Sequence, residues 1–315
     1  MSNDIFFGSA TVPTSGYAWI DGATADWDVD VDEDGFGGAS IDVSYARYLI
    51  PVPTRDRKRG PASKTYDPLV DADGLFLDFA WLPVSEEAVL KFANRYGWLG
   101  SPGTVLEPDD VRDLHGDVDS EDFDYVVNLT GVSGESLNQW RSEIALLRPP
   151  VALWQALRSG QIKVIGKAIS RDARGNYLCD PGQLKLGEDL GPLSISTICP
   201  DENDSLRFEE LPDNDPRPAA LVFLRQAVAE QISRIGIPEL RWSGERLALR
   251  FRSTGLRHTL WLQFARAIEG NKEYERCKHC LKYFEIGQSA ARKGKTYCSD
   301  ACRTAAYRAR KEQKT

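Results

Sequence analysis

Residues 277–311 read CKHCLKYFEIGQSAARKGKTYCSDACRTAAYRARK and hold four of the chain's six cysteines. The pairs are Cys277-x2-Cys280 and Cys298-x3-Cys302, with seventeen residues between them. A CxxC turn offers two sulfurs to one ion from a tight knuckle, and zinc takes four such ligands in a tetrahedron. Ser299 is a natural N-cap, so a helix is expected from about Ala301, with Cys302 in its first turn. The positive end of that helix dipole then faces the thiolates and favours their deprotonation. Between the pairs, LKYFEI and KTY are expected as strands around the polar turn GQSAARKGK. Knuckle, hairpin and ligand-bearing helix make a treble-clef arrangement. The reading is one structural Zn2+ held by Cys277, Cys280, Cys298 and Cys302. An iron–sulfur cluster draws on the same ligands. His279 is expected as an exposed knuckle residue, because four sulfurs already close the site.

Charge separates this stretch from the rest. The chain carries 39 Lys+Arg and 47 Asp+Glu, a net −8. Residues 271–315 contain 12 basic and 5 acidic residues, a balance of +7, which leaves 27 and 42, or −15, for residues 1–270. A basic tail on an acidic body implies that the tail has its own partner, or that it docks on the body.

Working outward, the unit before the tail is compact. Pro216 at the first position after Asp215 opens a helix expected to run to about Ile235, with Leu221, Leu224, Val228 and Ile232 on one face. ELRWSGERLALRF reads as a hairpin, and a last helix is expected over about His258–Ile268. The acidic, proline-dense stretch 200–218 reads as a linker. In the body, DWDVDVD (26–32) alternates as a strand, EDG supplies a turn, and ASIDVSYARYLI resumes the strand. Ser85–Tyr96 reads as a capped helix stopped by Gly97, with Val89, Leu90, Phe92, Ala93 and Tyr96 apolar. A helix over about Glu135–Leu147 is expected to break at Pro149-Pro150, with a short second helix over Val151–Leu157. Ile162–Ile165 reads as a short strand. The expected fold class is α+β: a mixed body over 1–205, a helix–hairpin–helix segment over 206–270 and a zinc finger over 271–315.

The segment CKHCLKYFEI…KTYCSDACRTAAYRARK resembles the FCS-type treble-clef fingers of bacteria, among them the C-terminal finger of CGNR proteins and the small zinc protein that inhibits DNA gyrase. The likeness lies in the knuckle, in Phe284, in the Tyr297-Cys298-Ser299 step and in the Cys-x3-Cys that leads into an Arg-rich helix. After the last cysteine, where a CGNR protein has Gly-Asn-Arg, this chain has Arg303-Thr304-Ala305. The resemblance covers about 40 residues and implies a DNA-binding protein, a transcriptional regulator.

The basic residues suit that implication. Arg303, Tyr307 and Arg310 share one helical face, Arg308 and Lys311 share the next, and Arg292, Lys293 and Lys295 sit on the turn before them. Such a surface neutralises phosphate. It equally fits an acidic protein partner or the acidic body itself. No Asn or Gln precedes Gln313 on the helix, so no adenine-reading amide is present. Asp30, Asp32 and Asp34 open like a calcium loop, but Ile41 stands where the bidentate Glu belongs, so a solvated acidic hairpin is expected. The loop Arg55, Arg57, Lys58, Arg59 is read as solvated. Three histidines and the lack of a GxSxG, P-loop or GxGxxG context point away from an enzyme. No apolar run approaches 18 residues, and the N-terminus has no basic region leading into an apolar core, so neither a membrane span nor a secretory signal is expected. A cytoplasmic location is the expectation, and Cys179 and Cys199 are read as structural thiols.

Overall fold

The computed structural model describes residues 10–31, 37–52, 63–100, 103–105, 132–174, 176–187, 189–190, 193–198, 215–233, 238–243, 246–251, 255–287 and 294–312. The chain is α+β and divides into two compact units. One comprises Thr11–Thr65 and Val84–Trp140; the other comprises Met1–Ala10, Tyr66–Pro83 and Arg141–Thr315.

The first unit contains the long alternating pair. After β1 (Ala10–Pro13), β2 (Tyr17–Val31) and β3 (Gly37–Pro51) run antiparallel from Tyr17 opposite Pro51 to Val31 opposite Gly37. The strand therefore starts well before the alternating stretch at Asp26; the EDG turn and the Asp32 and Asp34 positions lie outside the described residues. β4 (Ser63–Tyr66) pairs with β1, while β5 (Gly103–Val105) and β6 (Val132–Ser136) extend the long pair in the order β2-β3-β6-β5. Helix α3 (Glu86–Tyr96) begins as expected, with Ser85 Oγ accepting the Ala88 N–H, and it buries Val89, Phe92, Ala93 and Tyr96. Asn94 Oδ1 accepts the Tyr17 N–H at 2.6 Å, and Trp19 Nε1 donates to the Glu86 carbonyl, which ties the helix to β2.

Glu135 does not start a helix. It lies in β6 as a buried carboxylate, accepting the backbone N–H groups of Leu99 and Gly100 at 3.0 and 2.8 Å. The helix starts two residues later, where Ser136 and Gln139 cap reciprocally: Gln139 N donates to Ser136 Oγ, and Ser136 N donates to Gln139 Oε1.

That helix, α4 (Leu137–Arg158), does not break at Pro149-Pro150; both prolines lie inside it. Each proline deletes one helical N–H donor. The residue before them, Arg148, is only 3% exposed and ties this turn of the helix to distant backbone. Its Nε donates to the Ala80 carbonyl (2.6 Å), Nη2 to the Leu82 carbonyl (2.7 Å), and Nη1 to the Leu186 carbonyl (2.7 Å) and Asp189 (2.6 Å). Each of these bonds is charge-assisted, and the donors of the guanidinium are all used.

In this second unit α1 (Pro68–Asp71) and α2 (Leu75–Ala80) are clasped by Gln263. Its Oε1 accepts the Phe76 N–H and its Nε2 donates to the Pro68 and Ala72 carbonyls. Ile162–Ile165 is helix rather than strand: α5 (Ile162–Ala168) buries Ile165 and Ala168, three apart, and leaves Ile162 outside. So short an apolar run gives no period by itself. β7 (Ile169–Arg171), β8 (Tyr177–Cys179) and β9 (Ser196–Ile198) form a small antiparallel sheet. Cys179 is buried there, and desolvation with Asp180 beside it pushes its thiol up to about 12, as suits a structural thiol. Cys199 and most of the acidic stretch 200–218 lie outside the described residues.

Helix α6 (Arg217–Ser233) follows, with Asp215 Oδ1 accepting the Arg217 N–H at its start. Its buried residues are Ala219, Ala220, Val222, Phe223 and Leu224; of the expected Leu221–Ile232 stripe Leu224 is buried, but Leu221 (53% exposed) and Ile232 face solvent. The first two turns are apolar on every side, so the stripe is chosen by the neighbours. β10 (Pro238–Ser243) and β11 (Arg246–Phe251) pair antiparallel as expected. α7 (Leu256–Glu269) buries Leu260, Trp261 and Phe264. Phe76, Trp154 and Phe264 pack ring on ring at 5.5–5.9 Å and form the centre of this unit.

Candidate metal centre

Chain leaving α7 at Gly270 enters β12 (Glu273–Arg276), which pairs antiparallel with β13 (Tyr283–Ile286): Glu273 opposite Ile286, Arg276 opposite Tyr283. The strand partner of YFEI is thus EYER, and KTY is not a strand. The expected hairpin around GQSAARKGK is replaced by one whose turn is the CxxC knuckle. The knuckle closes with Cys277 N donating to the Lys282 carbonyl (2.8 Å) and Leu281 N to the Cys277 carbonyl (2.9 Å), and Leu281 adopts a left-handed φ of 61°. Glu273–Arg276 alternates no better than KTY does. What distinguishes it in the fold is tertiary contact: Tyr274 of this strand packs against Phe76.

The second pair of cysteines is supplied as expected. Ser299 caps α8 (Asp300–Glu312), its Oγ accepting the Cys302 N–H at 3.2 Å. Cys298 therefore precedes the helix and Cys302 lies in its first turn. The Lys278 N–H donates to the Thr296 carbonyl at 3.0 Å and joins the approach to Cys298 to the knuckle.

All four sulfurs lie within 4.8 Å of one another. Cys298 Sγ is 3.4 Å from Cys302 Sγ and 3.6 Å from Cys280 Sγ. A tetrahedral zinc with Zn–S near 2.3 Å spaces its sulfurs about 3.8 Å apart, so the donor set fits one metal ion. It is the one such cluster of His, Cys, Asp or Glu among the described residues. Cys277 is fully buried and the other three are partly exposed.

The electrostatics agree. Burial favours the neutral thiol of Cys277, but the backbone N–H groups of Cys280, Cys298 and His279 donate to its sulfur and bring it down to about 6. Burial and the neighbouring sulfurs of Cys277, Cys298 and Cys302 hold Cys280 well above the ordinary thiol range; burial and Cys302 raise Cys298. Four crowded sulfurs cannot all be anions without a cation among them. A dication removes that conflict, because a coordinating thiol is deprotonated outright.

The hairpin is anchored to its own unit by contacts that no local pattern announces. Tyr274 packs edge-on against Phe76 at 5.4 Å, and Tyr283 N donates to Asp78 Oδ1. Arg158, stacked over Trp154, reaches Asn271 at 2.6 Å and Glu273 at 3.2 Å. Gly74, with φ of 73°, meets the hairpin face on: a Cβ there would lie 2.9 Å from Tyr283 Cβ and 3.1 Å from Tyr274 Cδ1. An Asp-Gly pair marks a turn in any sequence, but nothing near it in the chain names the strands pressed against it.

The basic residues divide. Arg292 and Lys293 lie outside the described residues. Lys295 is directed at the Phe284 ring, 5.3 Å from its centroid. Arg303, Tyr307, Arg308, Arg310 and Lys311 all lie on α8, which contains no buried residue. His279 is exposed on the knuckle, as expected. The side chain of Asp30 and the loop of Arg55, Arg57, Lys58 and Arg59 lie outside the described residues. No helix among the described residues is long and apolar enough to cross a membrane. No protein-family model, curated protein or solved structure matches the chain.

Proposed function

We propose that this chain is a zinc-containing, non-enzymatic, nucleic-acid-binding protein of the cytoplasm, with DNA the favoured target and transcriptional regulation the role. The observation that carries the reading is the coupling of two features in α8. Its first turn supplies a thiolate to the metal centre, and its remainder presents Arg303, Arg308, Arg310 and Lys311 to solvent with no residue buried. Four thiolates close a zinc tetrahedron and leave no position for substrate, which is the mark of a structural site. The knuckle, the following strand and the capped helix with its paired cysteines support a treble-clef finger. In that reading Cys277, Cys280, Cys298 and Cys302 hold the zinc, which orients the helix. The Arg and Lys side chains then neutralise phosphates and release counterions.

A mobility-shift titration of zinc-loaded protein over a salt series, with and without chelator, tests the proposal. Binding is expected to weaken as salt rises. Arg308→Ala with Arg310→Ala is expected to flatten the slope by about one unit for each phosphate left without its cation. If zinc-loaded protein binds neither DNA nor RNA at low salt, the reading fails. A stoichiometric protein that then copurifies through α8 makes the finger a protein-docking module instead.

A further inference from the structure

Which form of nucleic acid suits α8 is written in the residue at the middle of its exposed face. Arg303, Tyr307 and Arg310 follow at i, i+4 and i+7 and so lie in one row. At 1.5 Å per residue, Tyr307 stands about 6 Å along the axis from Arg303 and about 4.5 Å from Arg310. All three are exposed, and Tyr307, at 64%, is the most exposed large apolar side chain described in the chain. Both flanking guanidinium groups are steadied along the helix: Arg303 pairs with Asp300 at 3.1 Å, and Arg310 Nε donates to the Ala306 carbonyl at 3.2 Å. Arg308 and Lys311 add charge on the adjoining row. Cys302, Ala305 and Ala306, all partly covered, lie outside that row, with Ala305 opposite it.

An aromatic ring held in water between two cations is a stacking platform with a phosphate clamp on either side. Stacking requires the face of a base. In a duplex that face is covered by its neighbours, and exposing it costs a few kcal/mol per step. In a single strand it is available, and every base presents one. The row also lacks the Asn or Gln that reads adenine edges in a duplex groove. Resting on the nucleic-acid reading above, we infer that α8 is a binding surface for single-stranded nucleic acid. One base stacks on Tyr307, and the flanking phosphates pair with Arg303 and Arg310. Binding is tolerant of sequence and sensitive to salt.

The test uses zinc-loaded full-length protein and a labelled mixed-sequence DNA strand of about 16 nucleotides, the upper site size of a single-strand binding fold. It is measured alone and annealed to its complement, at one low salt concentration. The single strand is expected to bind more tightly. Tyr307→Ala is expected to weaken single-strand binding by about fivefold or more, the lower end of a base–aromatic stack, and Tyr307→Phe to retain it. Because Tyr307 is exposed, neither change threatens the fold. Equal or tighter duplex binding, with Tyr307→Ala behaving as wild type on both probes, overturns the inference and leaves the broader proposal standing. Failure of both probes to bind overturns both.

Discussion

Metal removal is expected to melt α8 and to leave the rest of its unit intact. The helix has 13 residues and none is buried, so packing contributes little to its stability. Isolated helices of that length are marginal in water, because the first turn must be nucleated at a statistical weight of about 10⁻³. An ion bound by the four cysteines would fix Cys298 and Cys302 on either side of that first turn and so supply the nucleus. Losing it costs the helix up to about 4 kcal/mol, the free-energy equivalent of that thousandfold weight. By contrast α4 and α7 rest on Phe76, Trp154 and Phe264, which make no use of the metal. Hydrogen exchange read by mass spectrometry on tail peptides is the suitable assay, since 13 residues of 315 barely alter a whole-chain circular dichroism signal. After chelation, amides of residues 303–312 are expected to exchange at least about tenfold faster, with 137–158 and 256–269 unchanged. Exchange in 303–312 that is indifferent to chelator would refute the argument, because some other contact would then be holding the helix. Metal analysis of the same sample is expected to give about one zinc per chain.

Other expectations follow from particular contacts. Arg148→Met leaves the Ala80, Leu82 and Leu186 carbonyls and Asp189 without their donor. It is expected to cost about 3–5 kcal/mol in urea unfolding, and Arg148→Lys, lacking the planar fork, is not expected to restore most of it. Gly74→Ala, at a left-handed φ and against Tyr283 and Tyr274, is expected to cost about 1–3 kcal/mol and to speed trypsin cleavage within 270–287. Burial, with Arg257 beside it, lowers His258 from 6.5 to about 4. The unfolded chain therefore binds the extra proton between these values, and stability is lost as pH falls through that window. The loss between pH 7 and pH 5 is about 2 kcal/mol. A smaller loss is expected in His258→Asn, measured by urea midpoint at the two pH values; an equal loss would show that His258 is not the group titrating.

The cysteine spacing alone identified the four thiols that the fold brings together, and Ser299 alone marked where α8 begins, because knuckles and caps are local chemistry set by a few adjacent residues. Ser85, Gly97 and the strict alternation of residues 26–31 within β2 were legible for the same reason. Tertiary structure decided what local signals leave degenerate. It carried α4 through two prolines beside a buried Arg148, and it buried Ala220, Phe223 and Leu224 rather than Leu221 where the first two turns of α6 are apolar all round. It made Glu135 a strand carboxylate by offering it two backbone donors, and it paired the knuckle strand with EYER rather than KTY. Arg148 bonds to Ala80, Glu135 to Leu99, and Tyr274 packs on Phe76, partners that a pattern read along one segment cannot include. The exposure of Tyr307 belongs to the same class: the sequence places it in a row with Arg303 and Arg310, but only the fold shows that nothing in the described chain covers that row.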